Sequence, residues 1–153
     1  MKTVTLIRHA QSKFNAGEIK SEQDLINCKL SANGINQATT INGSFNLLIL
    51  SPLKRAIQTY TYSNIHTEDI IISHLFREQR ENTPLNYLEN ESISPENDVQ
   101  MKERVMVAVQ YLKSCKPTNI GVITHAHFIY YFMKHFNIQP FILENGKSIT
   151  FNI

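Results

Sequence analysis

Arginine and histidine stand side by side at Arg8-His9, directly after the apolar, β-branched run Val4-Thr5-Leu6-Ile7 and just before small and polar residues that include Ser12 and Asn15. An apolar run that ends in such a pair reads as a buried parallel strand delivering two reactive side chains at its carboxyl end. Three more residues of matching chemistry occupy comparable places. Arg55 follows the run Leu47-Leu48-Ile49-Leu50, Glu78 follows a run starting at Asp69, and His125 follows Ile120-Gly121-Val122-Ile123-Thr124. Two guanidiniums and two imidazoles form an oxyanion trap suited to a phosphoryl group. Imidazole is also a competent nucleophile near neutral pH, and a carboxylate supplies the general acid and base. Arg-His alone is a common dipeptide at structural strand ends; its weight comes from the repetition at four junctions.

Such residues have to be gathered by the fold, and the pattern of the chain describes one. A first strand covers Thr3–Ile7, and Phe14 to Lys29 is polar and irregular, a loop or poorly formed helix. Ser31 is an N-cap for a helix whose buried face is Gly34, Ala38, Ile41 and Phe45. Leu47–Leu50 is a second strand, and Ser51-Pro52 reads as the N-cap and first residue of a helix carrying Arg55, Ile57 and Tyr60. Asp69–His74 is a third strand, left through Leu75-Phe76-Arg77-Glu78. Residues 79–98, polar and holding Pro84 and Pro95, read as a substrate-specificity loop. A helix from Asp98 to Ser114 buries Met101, Val105, Ala108, Val109 and Leu112, and Pro117 ends it. Asn119–Thr124 is a fourth strand, and His125 opens a helix carrying Phe128, Ile129, Phe132 and Phe136. Asn145-Gly146 marks a turn between strands at Phe141–Leu143 and Ser148–Ile153. The alternation gives an α/β fold of three layers, αβα, with a mainly parallel central sheet and one domain spanning 1–153. In such sheets the carboxyl ends of the strands open on one crevice.

Composition narrows the function further. The chain has 153 residues, 42% of them hydrophobic, and a net charge of +2 with no basic run, which argues against nucleic acid as a partner. Cys28 and Cys115 form no C-x-x-C pair and are expected to be reduced, structural thiols. The N-terminus shows no signal-peptide pattern and no apolar run approaches the roughly 20 residues of a membrane helix, so a cytoplasmic location without membrane contact is expected. His127 lies two residues from His125, on a different face of a helix, and is assigned no role; no metal site is expected.

The motifs resemble those of the histidine phosphatase, or phosphoglycerate mutase-like, superfamily. Leu6 to Asn15 resembles its R-H-G-x-[ST] region and Leu30 to Ala38 its L-T-x-x-G-x-x-Q-A helix. Ser51 to Thr59 resembles S-P-L-x-R-A-x-Q-T, Leu75 to Glu78 resembles L-x-R-E, and Thr124-His125 resembles the second-histidine motif [ST]-H-G. Asn145 to Ile149 is similar to its last strand. Ala10 and Ala126 stand where the family has glycine, and the family's glycine and tryptophan after the acid are missing, leaving Glu81 as a second candidate for that role.

The resemblance implies a phosphoglycerate mutase-like fold and a metal-independent, cofactor-free phosphatase. His9 would form a phosphohistidine intermediate, with Glu78 as acid and base. Arg8, Arg55 and His125 would hold the phosphoryl oxygens, assisted by Ser12 and Asn15. The substrate is expected to be a small phosphorylated metabolite or a phosphoprotein carrying a phosphomonoester or phosphohistidine. The short chain leaves little room for the segments that enclose a mutase site, which favours hydrolysis over phosphoglycerate mutase-type transfer. The two alanines keep open a third possibility, a silent phosphate-binding module.

Overall fold

The computed structural model describes all of residues 1–153. Its elements run β1 (Thr3–Arg8), α1 (Glu22–Leu25), α2 (Ala32–Ala38), β2 (Asn42–Leu50), α3 (Lys54–Tyr62), β3 (Asn64–Ile72), α4 (Asp98–Ser114), β4 (Asn119–Thr124), α5 (Ala126–His135) and β5 (Ser148–Asn152), with 3-10 turns at His74–Phe76 and Pro84–Asn86. The sheet order is β3-β2-β4-β1-β5, parallel except for β5, which runs antiparallel to β1.

Side chains alternate across this sheet and are covered on both faces, which is why its central strands are continuously apolar. Val4 and Leu6 of β1, Leu47 and Ile49 of β2, and Ile120 and Val122 of β4 join α4 and α5 in a core of 18 buried residues. Ile7, Leu48, Leu50 and Ile123 face the other way, against Ala56 of α3 and its neighbours Ile57 and Tyr60. The expected three-layer α/β architecture is therefore present.

Register then decides what meets at the carboxyl edge. Arg8 pairs with Thr124, and Leu50 pairs with Ile123, so His9, Ser51 and His125 leave three adjacent strands side by side. Thr124 also donates from Oγ1 to the Phe76 carbonyl at 2.6 Å, tying the chain that leads to Glu78 to the same edge.

Several expected boundaries differ. α2 stops at Ala38 because Thr39 and Thr40 turn their hydroxyls back onto the Asn36 and Gln37 carbonyls at 2.6 and 2.7 Å, competing with continuation of the helix. Ile41 and Phe45 are buried but lie at and within β2, not on the helix. β3 starts at Asn64 and ends at Ile72, paired along its length with β2, and His74 opens a 3-10 turn. Leu53, not Ser51, is the N-cap of α3. The expected hairpin is absent: Phe141–Leu143 forms no strand, its Leu143 carbonyl accepting from the Arg8 guanidinium, and β5 pairs with β1 instead. Phe136 caps α5 at its end. The 98–114 helix and its five buried residues are as expected, with an Asn97–Gln100 capping box at its start.

Residues 79–98 are no free lid. Arg77 grips the Glu91 carboxylate with two bonds of 2.8 Å, and Arg104 binds Glu96 while also donating to the carbonyls of Leu75, Arg77 and Glu78. No helix is long and apolar enough to cross a membrane.

Gly34 positions the loop after β1. A Cβ there would lie 1.9 Å from the Gln11 carbonyl oxygen, a backbone atom that cannot swing aside. Gly34→Ala is expected to cost about 1–3 kcal/mol of overpacking, outweighing the gain in helix propensity of up to about 1 kcal/mol. A lower denaturant midpoint checks this; an unchanged or raised midpoint contradicts it.

Candidate active site

A cleft of about 330 Å³ opens at the carboxyl edge of the sheet, and its walls include Arg8, His9, Ser12, Asn15, Arg55 and Glu78. Six of the seven expected residues thus gather there. His125 lies just behind, its ring centroid 5.1 Å from that of His9.

His9 is 4% exposed and its tautomer is fixed from both sides. Nδ1 lies 2.7 Å from the Ala10 carbonyl oxygen, which only accepts, and Nε2 receives the Arg55 Nε–H at 3.3 Å. The proton is therefore on Nδ1 and the lone pair on Nε2. Burial, together with the nearby Arg55 and Arg8 charges, holds the His9 pKa well below the ordinary imidazole value, keeping the ring neutral.

Arg55, on the first turn of α3, is buried and lowered to about 10 by desolvation, an effect that Glu78 opposes. Its Nη2 donates to Asn86 Oδ1 at 2.5 Å and its Nη1 to the Leu85 carbonyl at 3.3 Å, so the 3-10 turn at 84–86 aims the guanidinium. Arg8 donates from Nη1 to the Leu143 carbonyl at 2.7 Å, while its buried Nε has no partner. Desolvation also lowers Arg8, again countered by Glu78.

His125 is fully buried, and burial with the nearby Arg55 drives its pKa well down. Ser51 Oγ lies 2.7 Å from its Nε2 and already accepts the Leu53 N–H at 3.4 Å. The hydroxyl proton is then best used on Nε2, which places the ring's own proton on Nδ1, a buried atom without a partner. Ser51, expected to cap α3, instead orients His125.

Glu78 is 7% exposed and docks on the N-terminus of α5. Its Oε1 accepts from the N–H groups of Gln79 (3.0 Å) and Phe128 (3.1 Å), and Oε2 accepts from His127 N–H at 3.1 Å. A carboxylate at a helix N-terminus meets the positive end of the dipole. Glu81 also lines the cleft but is exposed at its rim. His127, assigned no role from sequence, is on the cleft wall with Nδ1 3.8 Å from Glu78 Oε2. The first turn of α5 starts inside the site, so residues two apart both reach it.

The smaller donors fall into two roles. The Ser12 hydroxyl donates to Asn15 Oδ1 at 2.9 Å and accepts the Asn15 N–H at 3.1 Å, so it shapes the loop rather than presenting a free donor. Asn15 Oδ1 also accepts from Asn145 Nδ2 at 3.2 Å, leaving its amide nitrogen to donate. Neither Ala10 nor Ala126 adopts a positive φ, so neither backbone requires the glycine expected there. Ala10 is fully buried against Leu30 and Ala38, with its N–H on Thr59 Oγ1 at 2.9 Å.

Sequence reasoning did not single out Asn86, Thr59 or Asn145 as supports of the site. Asn145 Nδ2 also donates to the His9 carbonyl at 3.2 Å, and the Gly146 N–H reaches the carbonyls of Arg8 and His9 at 3.1 and 3.2 Å, from a turn that Gly146 enters at φ 76°. The signal lay in the motif context of Thr59 and Asn145; nothing in the sequence marked Asn86. No cluster of three or more His, Cys, Asp or Glu side chains is placed to hold a metal ion.

The sequence model of the histidine phosphatase superfamily (branch 1) matches residues 4–83, just over half of the chain. No curated protein matches it in sequence. The alpha-ribazole phosphatase from Shigella flexneri superposes with a TM-score of 0.74 at 20% identity, covering 99% of this chain and 91% of that one. The phosphoserine phosphatase from Entamoeba histolytica, in complex with 3-phosphoglyceric acid, superposes with a TM-score of 0.66 at 19% identity, again covering 99% and 91%. At these identities the likeness is one of fold.

The two buried neutral histidines make stability depend on pH. Their folded pKa values lie below the unfolded value of about 6.5, so the unfolded chain binds more protons and stability falls as pH drops through 6.5 toward the folded values. The limiting slope is about 1.4 kcal/mol per pH unit for each histidine. Urea unfolding between pH 6.5 and 5 is expected to show this loss, and a His9→Asn, His125→Asn double variant is expected to lack it. A flat wild-type profile contradicts it.

Proposed function

Since the chain belongs to the histidine phosphatase superfamily, we propose that it is a phosphatase that hydrolyses a phosphomonoester through a covalent phosphohistidine on Nε2 of His9. The observation that carries this reading is the fixed tautomer of His9, a neutral imidazole with its lone pair facing Arg55 in a cleft shared with Arg8 and Glu78.

The Nε2 lone pair attacks phosphorus in line as the bond to the alcohol oxygen breaks. Glu78 gives a proton to the leaving oxygen. Water then attacks phosphorus, Glu78 takes back a proton, and the P–N electron pair returns to Nε2. The Nδ1–H bond to Ala10 steadies the charge that the ring acquires. Arg8 and Arg55 neutralise the equatorial oxygens, with the orphaned Arg8 Nε and His125 Nδ1 as the donors still available. Asn15 adds a neutral donor. The residues themselves supply the positive charge, so the step needs no metal ion.

A phosphohistidine protein is the alternative substrate, since imidazole departs without help from an acid. A carboxyl group on the cleft wall, Glu78, is the acid that a poorer leaving group requires, which favours the phosphomonoester. The cleft mouth supports hydrolysis over mutase-type transfer: Phe14 and Ile142, on its rim, are 49% and 52% exposed, leaving the phosphoenzyme open to water.

Hydrolysis of p-nitrophenyl phosphate tests the reading. Wild-type activity is expected to survive EDTA and to fall at least about 10³-fold in His9→Ala, as loss of a covalent nucleophile does. Its kcat/KM is expected to hold into pH values well below the ordinary imidazole range, because His9 stays neutral there. No wild-type turnover, or full loss with EDTA, contradicts it.

A further inference from the structure

Beyond the two guanidiniums committed to the phosphoryl group, the cleft offers no fixed positive charge. Apart from Thr83 and the residues already placed, what remains of its lining falls into two sets. Phe14, Leu25, Leu85 and Ile142 bring apolar surface from three separate segments to the mouth, while Glu81, at the rim, brings a second carboxylate besides Glu78. His127 stands on the same wall, its Nδ1 3.8 Å from Glu78 Oε2.

Building on the phosphatase reading, we propose that this half of the cleft is a leaving-group subsite for an apolar alcohol that carries no negative charge of its own. The substrate class is then a phosphomonoester of an uncharged or cationic apolar alcohol, as against a phosphoglycerate, bisphosphate or phosphoamino acid, which brings a second anionic group into a cleft whose rim already carries Glu81. Half-exposed Phe14 and Ile142 have apolar surface left to cover, and a ring or short hydrocarbon body covers it. A cleft of about 330 Å³ takes a phosphoryl group with one such body. Glu81 sets the charge preference: repulsion between like charges across a partly wet cleft is worth about tenfold in affinity.

Binding and turnover test this separately. In His9→Ala, which binds without reacting, calorimetry is expected to show phenyl phosphate at least about tenfold tighter than 3-phosphoglycerate. Adding Glu81→Lys is expected to bring that ratio to one or below. Phe14→Ser and Ile142→Ser, both at exposed positions, are expected to weaken phenyl phosphate and leave inorganic phosphate unchanged. Equal or tighter binding of 3-phosphoglycerate, a ratio indifferent to Glu81→Lys, or no binding of phenyl phosphate overturns the subsite. Wild-type turnover of phenyl phosphate is read on its own. The expected binding order without turnover overturns the phosphatase reading and leaves the subsite standing; turnover with a flat order does the reverse.

Discussion

The hydrogen bond from His9 Nδ1 to the Ala10 carbonyl is the constraint around which the molecule is arranged. A buried imidazole can be a nucleophile only if it is neutral and if the lone pair faces the cleft. The bond meets the second condition, and burial beside two guanidiniums meets the first. Both depend on where the Ala10 backbone stands, and that loop is held from several directions. Thr59 Oγ1 accepts the Ala10 N–H, Gln37 Oε1 accepts the Gln11 N–H, and the Gln11 carbonyl accepts the Ser31 N–H in the close approach that only Gly34 allows.

The motif residues divide accordingly, and most of them never reach the cleft. In Ser51–Thr59, Arg55 alone lines it. Ser51 orients His125, Leu53 caps the helix and is fully buried, Gln58 Oε1 accepts the Leu30 N–H, and Thr59 holds Ala10. The C-terminal segment closes the same loop from the other side through Leu143, Asn145 and Gly146. A site with one buried guanidinium, a second that is half-buried, and two buried imidazoles is costly to assemble, and these neutral bonds are what keep its parts in place.

What could be read from the sequence follows from which forces are local. β4 is legible as an unbroken apolar run and α4 because apolar side chains recur at helical spacing, and Arg8, His9, Arg55 and Glu78 because each sits at or just beyond the end of an apolar run. The end of α2 was not legible, since it depends on two threonine hydroxyls turning back on the helix. The C-terminal hairpin is not legible because Asn-Gly describes a turn but not the strand that pairs beyond it; the partner that β5 takes is β1, at the opposite end of the chain. Ser12 carried the right chemistry for a phosphate donor, but its proton is taken by Asn15 three residues on. His127 and Asn86 reach the site through tertiary placement alone, one at the first turn of α5 and the other through the ion-paired segment after Glu78.

The central claim is that Nε2 of His9 becomes covalently phosphorylated. Rapid acid-free quenching during turnover of a labelled phosphomonoester, followed by 31P NMR and peptide mapping, reads this directly. The account predicts an acid-labile, base-stable phosphoramidate on the His9 peptide, substituted at Nε2 and absent from His9→Ala. A phosphoryl group on Ser12, on Glu78 or on another histidine, or a phosphoramidate at Nδ1 of His9, would contradict it.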